Sequence, residues 1–300
     1  MYRSRRRKLE NTSVLLLAGG DGARLLSLTR DRSGASAPKQ FSVLGNGKTL
    51  IQFSYERARR IVREDKIYAV VSRYHENWWS RELSLPRNQI IVQPENRGTA
   101  PGILFSLLHI LRDHPSDKLV VLPSDHYVAD EDTFENALRL AIRRLKTHQQ
   151  DLILLGITPD STDAEYGWIV PREARNNRLR RVLTFVEKPR PDQARELLEA
   201  KGLWSSFVFV GKVTRLLDLM AEADKKLVSS YLRALFDYPQ AEAFERLYAD
   251  LRSVDFSRDI LQKSVESLRA LAVPPCGWTD LGTPERYSEW QSKKDLSSDS

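Results

Sequence analysis

Residues 15–24 read Leu-Leu-Leu-Ala-Gly-Gly-Asp-Gly-Ala-Arg, and Pro38-Lys39-Gln40-Phe41 follows after a small polar loop. Glycines at 19, 20 and 22 leave backbone N–H groups bare, so a polyphosphate can approach without meeting a side chain. Arg24 can grip phosphate oxygens through two parallel bonds, and Lys39 can act on them as a point charge. Two better-known phosphate loops do not fit. A dinucleotide fingerprint needs a third glycine where Leu25 stands. At Gly47-Lys48-Thr49 the first glycine of a P-loop falls on Ser42, so residues 45–47 read as a tight turn ahead of a helix capped by Thr49. Taken alone, the stretch also fits a glycine-rich turn carrying two solvated cations.

Whatever binds such a loop must be held by regular elements, and the chain alternates between two kinds. Short apolar runs at 14–18, 67–71, 90–93, 119–122 and 152–156 are bounded by turn or polar residues, as expected for strands covered on both faces. Thr49 and Gln52 make a capping box ahead of Leu50, Ile51, Ala58, Ile61 and Val62, which recur on one helical face. Further helices are expected over 101–111 and, after the acid-rich stretch 129–133, over 133–145. The alternation predicts an α/β fold: a Rossmann-like, mainly parallel mixed sheet flanked by helices, with right-handed crossovers. Ligands bind such sheets beyond the carboxyl ends of the strands, which points to the loops at 18–24, 94–101 and 123–126. Beyond Gly156 the strands at 165–171, 180–189 and 205–211 are mixed or partly alternating, with helices at 192–200, 214–223 and 241–251. They read as a second, substrate-facing half on the same core.

The 300 residues suit one large domain or a core with an appended subdomain, and 41% hydrophobic residues supply its interior. A single cysteine, Cys276, rules out an internal disulfide and fits a reducing, cytoplasmic setting. No apolar run has the length of a membrane span, so no membrane partner is expected. The apolar stretch after the basic leader is too short for a signal-peptide core. The net charge of +7 owes five positives to Arg3, Arg5, Arg6, Arg7 and Lys8. No aromatic-and-basic recognition motif accompanies it, so an anionic small molecule is a better partner than a nucleic acid. The histidines show no zinc spacing. Residues 1–12 are expected as a disordered basic leader and 291–300 as a disordered polar tail.

The glycine loop with its Pro38-Lys39 ending resembles the signature of the sugar-1-phosphate nucleotidyltransferases, and Gln40-Phe41 resembles the mannose-1-phosphate guanylyltransferases in particular. Further segments follow in the same order: Gln-Pro-Glu-Asn-Arg-Gly-Thr-Ala-Pro at 93–101, Leu-Pro-Ser-Asp-His at 122–126, Tyr-Gly-Trp-Ile at 166–169, Phe-Val-Glu-Lys-Pro at 185–189 and Gly-Trp-Thr-Asp-Leu-Gly-Thr at 277–283. The resemblance covers roughly residues 13–287. It implies a nucleotidyltransferase (GT-A-like) catalytic domain over 13–290, with a nucleotide half at about 13–156 and a sugar-phosphate half at about 157–290. No further isomerase domain is expected after it, and a homodimer is compatible with it.

The chemistry implied is attack of a hexose 1-phosphate on the α-phosphorus of GTP, with Mg²⁺ as cofactor and pyrophosphate as leaving group. Positioning and charge neutralisation carry such a reaction. By this resemblance Arg24, Lys39 and Lys188 are catalytic, and Asp125 and Asp280 hold the metal. Ala18, Gly19, Gly20, Gly22, Glu95, Asn96, Arg97, Gly98 and Thr99 bind the nucleotide. Gly167, Glu187, Lys188 and Ser205 bind the sugar phosphate. Thr99 also fits the N-cap of the following helix, and His126 reads as structural support.

The chain departs from the family on the sugar side. Trp204-Ser205-Ser206-Phe207 stands where the family has Trp-Asn-Ser-Gly, and the acid expected after Asp255 is not evident. Ser27 stands where the loop usually has proline. A different sugar 1-phosphate or nucleotide, or a non-catalytic nucleotide-sugar-binding regulator, therefore stays in view. Retention of Arg24, Lys39, Asp125, Lys188 and Asp280 argues against the last.

Overall fold

Strand β1 (Thr12–Ala18) is apolar on both sides because both sides are covered. Val14, Leu16 and Ala18 face one helical layer, while Leu15 and Leu17 face the other. A computed structural model describes residues 7–44, 47–173 and 179–298, with side chains to residue 292. The chain continues with α1 (Leu50–Ile61), β2 (Ile67–Ser72), α2 (Glu76–Glu82), β3 (Ile90–Gln93), α3 (Thr99–Asp113), β4 (Lys118–Pro123), α4 (Glu131–Arg144) and β5 (Leu152–Ile157). The remainder runs β6 (Gly167–Pro171), β7 (Arg180–Glu187), α5 (Pro191–Glu199), β8 (Leu203–Lys212), α6 (Val213–Ala223), α7 (Lys225–Phe236), α8 (Gln240–Asp250), β9 (Leu268–Val273) and α9 (Pro284–Ser298).

The sheet order is β3-β2-β1-β4-β8-β5-β9-β7-β6. Strands β3, β2, β1 and β4 are parallel, and a helix leads into each of β2, β3 and β4. Beyond them the sheet is mixed: β8 runs antiparallel between β4 and β5, and β6 and β7 form an antiparallel pair. The stretch from Pro171 to Arg180 has no room for a crossover helix, so only a hairpin can join those two strands. Helices α3, α6, α7 and α8 cover one face through residues such as Ile103, Leu216, Tyr231 and Tyr248. Helices α1, α2 and α4 cover the other through Ile51, Trp79 and Phe134. Among the described residues, no helix is long and apolar enough to cross a membrane.

The Thr49–Gln52 capping box is present as expected. Thr99 is not the N-cap of α3. Gly98 takes that place at φ 92°, and the Thr99 hydroxyl instead accepts from the Phe256 N–H at 2.8 Å. Of the expected leader, residues 1–6 lie outside the described residues. Its later part is docked: Leu9 N–H donates to the Ile61 carbonyl, the Arg7 carbonyl accepts from Arg139, and Thr12 already belongs to β1. The expected tail is helical to Ser298. Tyr287 and Trp290 anchor the first turns of α9 on Tyr127 and Leu281, and extending an anchored helix needs no new nucleus.

Candidate active site

A cleft of about 430 Å³ opens at the carboxyl ends of β1, β3 and β4, where an open α/β sheet binds ligands. The glycine loop forms one wall. Gly19 and Gly20 line the cleft. Gly22 turns beneath them at φ 61°, and a Cβ there would lie 2.7 Å from the Lys39 backbone nitrogen, so only glycine fits. The Gln40 side-chain amide donates to the carbonyls of Ala18 and Gly20 at 3.3 and 2.7 Å. That bond fixes the loop and gives the Pro-Lys-Gln ending a structural reason. Gln93, at the end of β3, lies under Gly19 and Gly102 and lines the cleft. Its Oε1 has no donor among the described residues.

The loop after β3 divides its residues between two tasks. Asn96, Gly98 and Thr99 line the cleft. Arg97 does not: its Nε donates to the Tyr248 carbonyl at 2.8 Å and its Nη2 to Ala249, while Glu95 pairs with it at 2.7 Å. Arg97 and Glu95, expected on the nucleotide, therefore clamp this loop to the end of α8. Ala18 and Gly22 likewise shape the loop from beneath and do not face the cleft.

Asp125 and Asp280 meet although they are far apart in the chain. An antiparallel bridge between Tyr127 and Thr279 sews their loops together, with N–H···O distances of 2.9 and 3.0 Å. Lys39 sits between them. Its Nζ lies 2.8 Å from Asp125 Oδ2 and donates to the Asp280 carbonyl. Lys39 was expected on the triphosphate, but its side chain is only 9% exposed, and a buried ammonium requires counter-charges. Its place is behind the carboxylates. Burial would push the Asp125 carboxyl up, yet the Lys39 ammonium beside it holds it below the usual range. Burial lowers His126 to about 4, so its imidazole is neutral, packed edge-on against Trp278. This fits the supporting part expected of it.

The aspartates suit a hard divalent cation. Asp125 Oδ2 is taken by Lys39. Asp280 Oδ1 accepts from Gly282 N–H, Tyr166 hydroxyl and Arg286. Among the described residues Asp280 Oδ2 has no donor, and no cluster of three acidic, histidine or cysteine ligands exists. Two carboxylates with the remaining positions left to phosphate and water is how magnesium is usually held.

The far end of the cleft is acidic and basic at once. Glu187, Lys188, Gly167 and Ser205 all line it, and Asp255, Ser257 and Phe207 join them. Gly167 leaves room for Glu187: a Cβ there would stand 2.5 Å from Glu187 Oε2, so that carboxylate would have to shift. Lys188 has φ 48°, a left-handed backbone that a non-glycine residue adopts at some cost. Arg24 and Lys188 converge on one oxygen, Glu165 Oε2, at 3.1 and 3.5 Å. Phe207 has φ 54° within a bulge where two steps along β5 face four along β8. This left-handed backbone is one that glycine adopts freely, and here a phenylalanine holds it. Its ring packs on Phe209 and Phe256.

Burial first, then the Asp255 carboxylate, raises the Glu187 carboxyl to about 7. The folded protein holds that proton up to about pH 7, whereas the unfolded chain releases it near 4.5. The stability this contributes is full below pH 4.5 and is lost as pH rises through 7. Glu187→Gln cannot ionise. It is expected to melt roughly 5–10 °C above the wild type at pH 8 and level with it at pH 4; calorimetry at both pH values checks this, and equal melting at pH 8 would contradict it.

Arg286, Glu165, Gln93 and Phe207 were missed as site residues. Arg286 and Glu165 carry no motif and are brought in by tertiary structure alone. Gln93 opens one of the quoted motifs, and its position at a strand end could have marked it. Gln262 reaches the same region: its Oε1 accepts from the Glu187 N–H at 3.2 Å.

The sequence profile of a family described as Nucleotidyl transferase matches residues 13–296. Mannose-1-phosphate guanylyltransferase 2 of Escherichia coli O157:H7 is 29% identical over 311 residues, covering 95% of this chain and 59% of its own. Alginate biosynthesis protein AlgA of Pseudomonas syringae pv. tomato is 28% identical, covering 89% of this chain and 56% of its own. The chain thus spans little more than half the length of these curated relatives. Among solved structures, a mannose-1-phosphate geranyltransferase of Thermus thermophilus superposes with a TM-score of 0.79 at 27% identity, over 91% of this chain and 76% of that one.

Proposed function

The chain belongs to the nucleotidyl transferase family, and on that premise we propose that it transfers a guanylyl group from GTP to mannose 1-phosphate, giving GDP-mannose and pyrophosphate. The observation that carries the reading is the convergence of Lys39, Asp125 and Asp280 beside the glycine loop. An oxygen of the sugar phosphate bonds to the α-phosphorus as the bond to the bridging oxygen of pyrophosphate breaks. Two anions must be brought together, so the protein's work is orientation and neutralisation.

Gly19 and Gly20 offer the triphosphate a bare backbone, and Arg24 at the rim takes the departing pyrophosphate once it leaves Glu165. Lys188 grips the sugar phosphate from the opposite side. Glu187 and Asp255 accept from sugar hydroxyls. Guanine presents N–H donors on its ring edge, and the donor-free Gln93 Oε1 supports a base of that kind. Asp125 and Asp280 would hold Mg²⁺, which when bound supplies neutralising charge to the phosphates. A cytoplasmic setting, in keeping with one buried thiol at Cys276, belongs to the same proposal.

A second reading, the same transfer to another sugar 1-phosphate, is favoured by one observation: the Phe207 ring on the sugar-side wall. Transfer of label from α-phosphate-labelled GTP tests both. Label appearing in a sugar nucleotide with mannose 1-phosphate supports the first reading. Label appearing only with a different sugar 1-phosphate selects the second, and label moving only from another nucleoside triphosphate would overturn the assignment to GTP.

A further inference from the structure

We propose that Arg286 is a positioning residue that fixes Asp280 as a one-oxygen ligand and keeps its affinity for a free divalent cation low. The proposal rests on the reading of Asp280 as a metal ligand given above. The three donors on Oδ1 come from three directions: the Gly282 N–H at 2.9 Å, Arg286 Nη1 at 2.6 Å and the Tyr166 hydroxyl at 3.2 Å. A carboxylate held this way cannot turn to chelate a cation through both oxygens.

Arg286 is itself held fast. Its Nε and Nη2 both donate to Asp163 Oδ2, at 3.0 and 2.7 Å. Its guanidinium lies over the Tyr166 ring, 3.9 Å from the centroid, and only 13% of the side chain is exposed. An arginine in such a fork stays charged at any working pH. The fork joins the loop before β6 to the first turn of α9, so Asp280 is set by both the sugar-side loop and the C-terminal helix.

Two consequences oppose each other, which makes the proposal testable. The guanidinium repels a cation arriving at Asp280, yet it holds the carboxylate in place. Replacing Arg286 with a neutral residue should therefore tighten metal binding while slowing turnover. A merely structural brace would do neither: its loss would lower the melting temperature and leave metal affinity unchanged or weaker.

The experiment titrates the full chain with Mn²⁺ in the absence of any substrate, following free Mn²⁺ by electron paramagnetic resonance. Arg286→Met is expected to bind Mn²⁺ roughly tenfold more tightly than the wild type. In the same variant kcat is expected to fall by about 10–100-fold, with the KM for GTP little changed. Arg286→Lys keeps the charge without the fork and should keep weak Mn²⁺ binding while losing kcat. Should Arg286→Met not fold, Arg286→Gln takes its place with the same expectation. Unchanged or weaker Mn²⁺ affinity in the neutral variant, or no Mn²⁺ binding by either protein, overturns the proposal. A wild type that releases no pyrophosphate would sink the guanylyltransferase reading, and the Mn²⁺ result would still decide the part played by Arg286.

Discussion

Asp125→Asn is expected to lower kcat for pyrophosphate release by about a thousandfold or more, since it removes an anionic ligand at the centre of the developing charge. The fold should survive the change. Asp125 is about one-third exposed, and asparagine keeps its shape and an oxygen for Lys39. Lys39 loses its counter-charge, so melting is expected to fall by several degrees with the transition still cooperative; a rate lost well below that melting range separates chemistry from folding. Retention of more than a tenth of the activity would remove Asp125 from the centre.

Lys39→Met is expected to act chiefly through stability. The ammonium lies between the Asp125 carboxylate and the Asp280 carbonyl, and its loss leaves two carboxylates close together with a buried apolar chain between them. Breaking a buried pair in this way costs about 3–5 kcal/mol. The partial exposure of Asp125 lets water screen it, so the lower end applies, a fall of roughly 6–10 °C in melting temperature. Added Mg²⁺ should recover more of that loss in the variant than it adds to the wild type, because the aspartates would then have lost the buried cation beside them. Equal melting of the two proteins would show that Lys39 is not what holds the carboxylates together.

The N-terminal half of the fold was legible because its signals are local. Fully buried strands read as continuous apolar runs, and 67–71 and 90–93 fall inside β2 and on β3. The glycine loop declared itself through positions such as Gly22, where a side chain would strike the Lys39 backbone. What could not be read depends on contacts between distant segments. Arg97 reads in sequence as part of the nucleotide pocket, but the end of α8 offers it two carbonyls. Lys39 carries the right charge, yet burial turns it toward Asp125 and Asp280. Arg286 follows Asp280 without any motif, and only the fork to Asp163 gives it a role. Thr99 satisfied the N-cap rule by type, and lost the place because Gly98 must pass close to Val254.

Phe207 shows the converse. Its substitution for glycine was visible in the sequence as a departure, and the left-handed backbone at φ 54° explains why glycine suits the position. The bulge in β8 carries that backbone, and the Phe207 side chain forms part of the cleft wall.

The measurement that bears most directly on the account is pyrophosphate release with Mg²⁺ across four nucleoside triphosphates and several sugar 1-phosphates, with Asp125→Asn and Lys188→Met alongside the wild type. The account predicts release with GTP and mannose 1-phosphate, lost in both variants. A folded wild type that binds GTP and releases no pyrophosphate with any pair would contradict it.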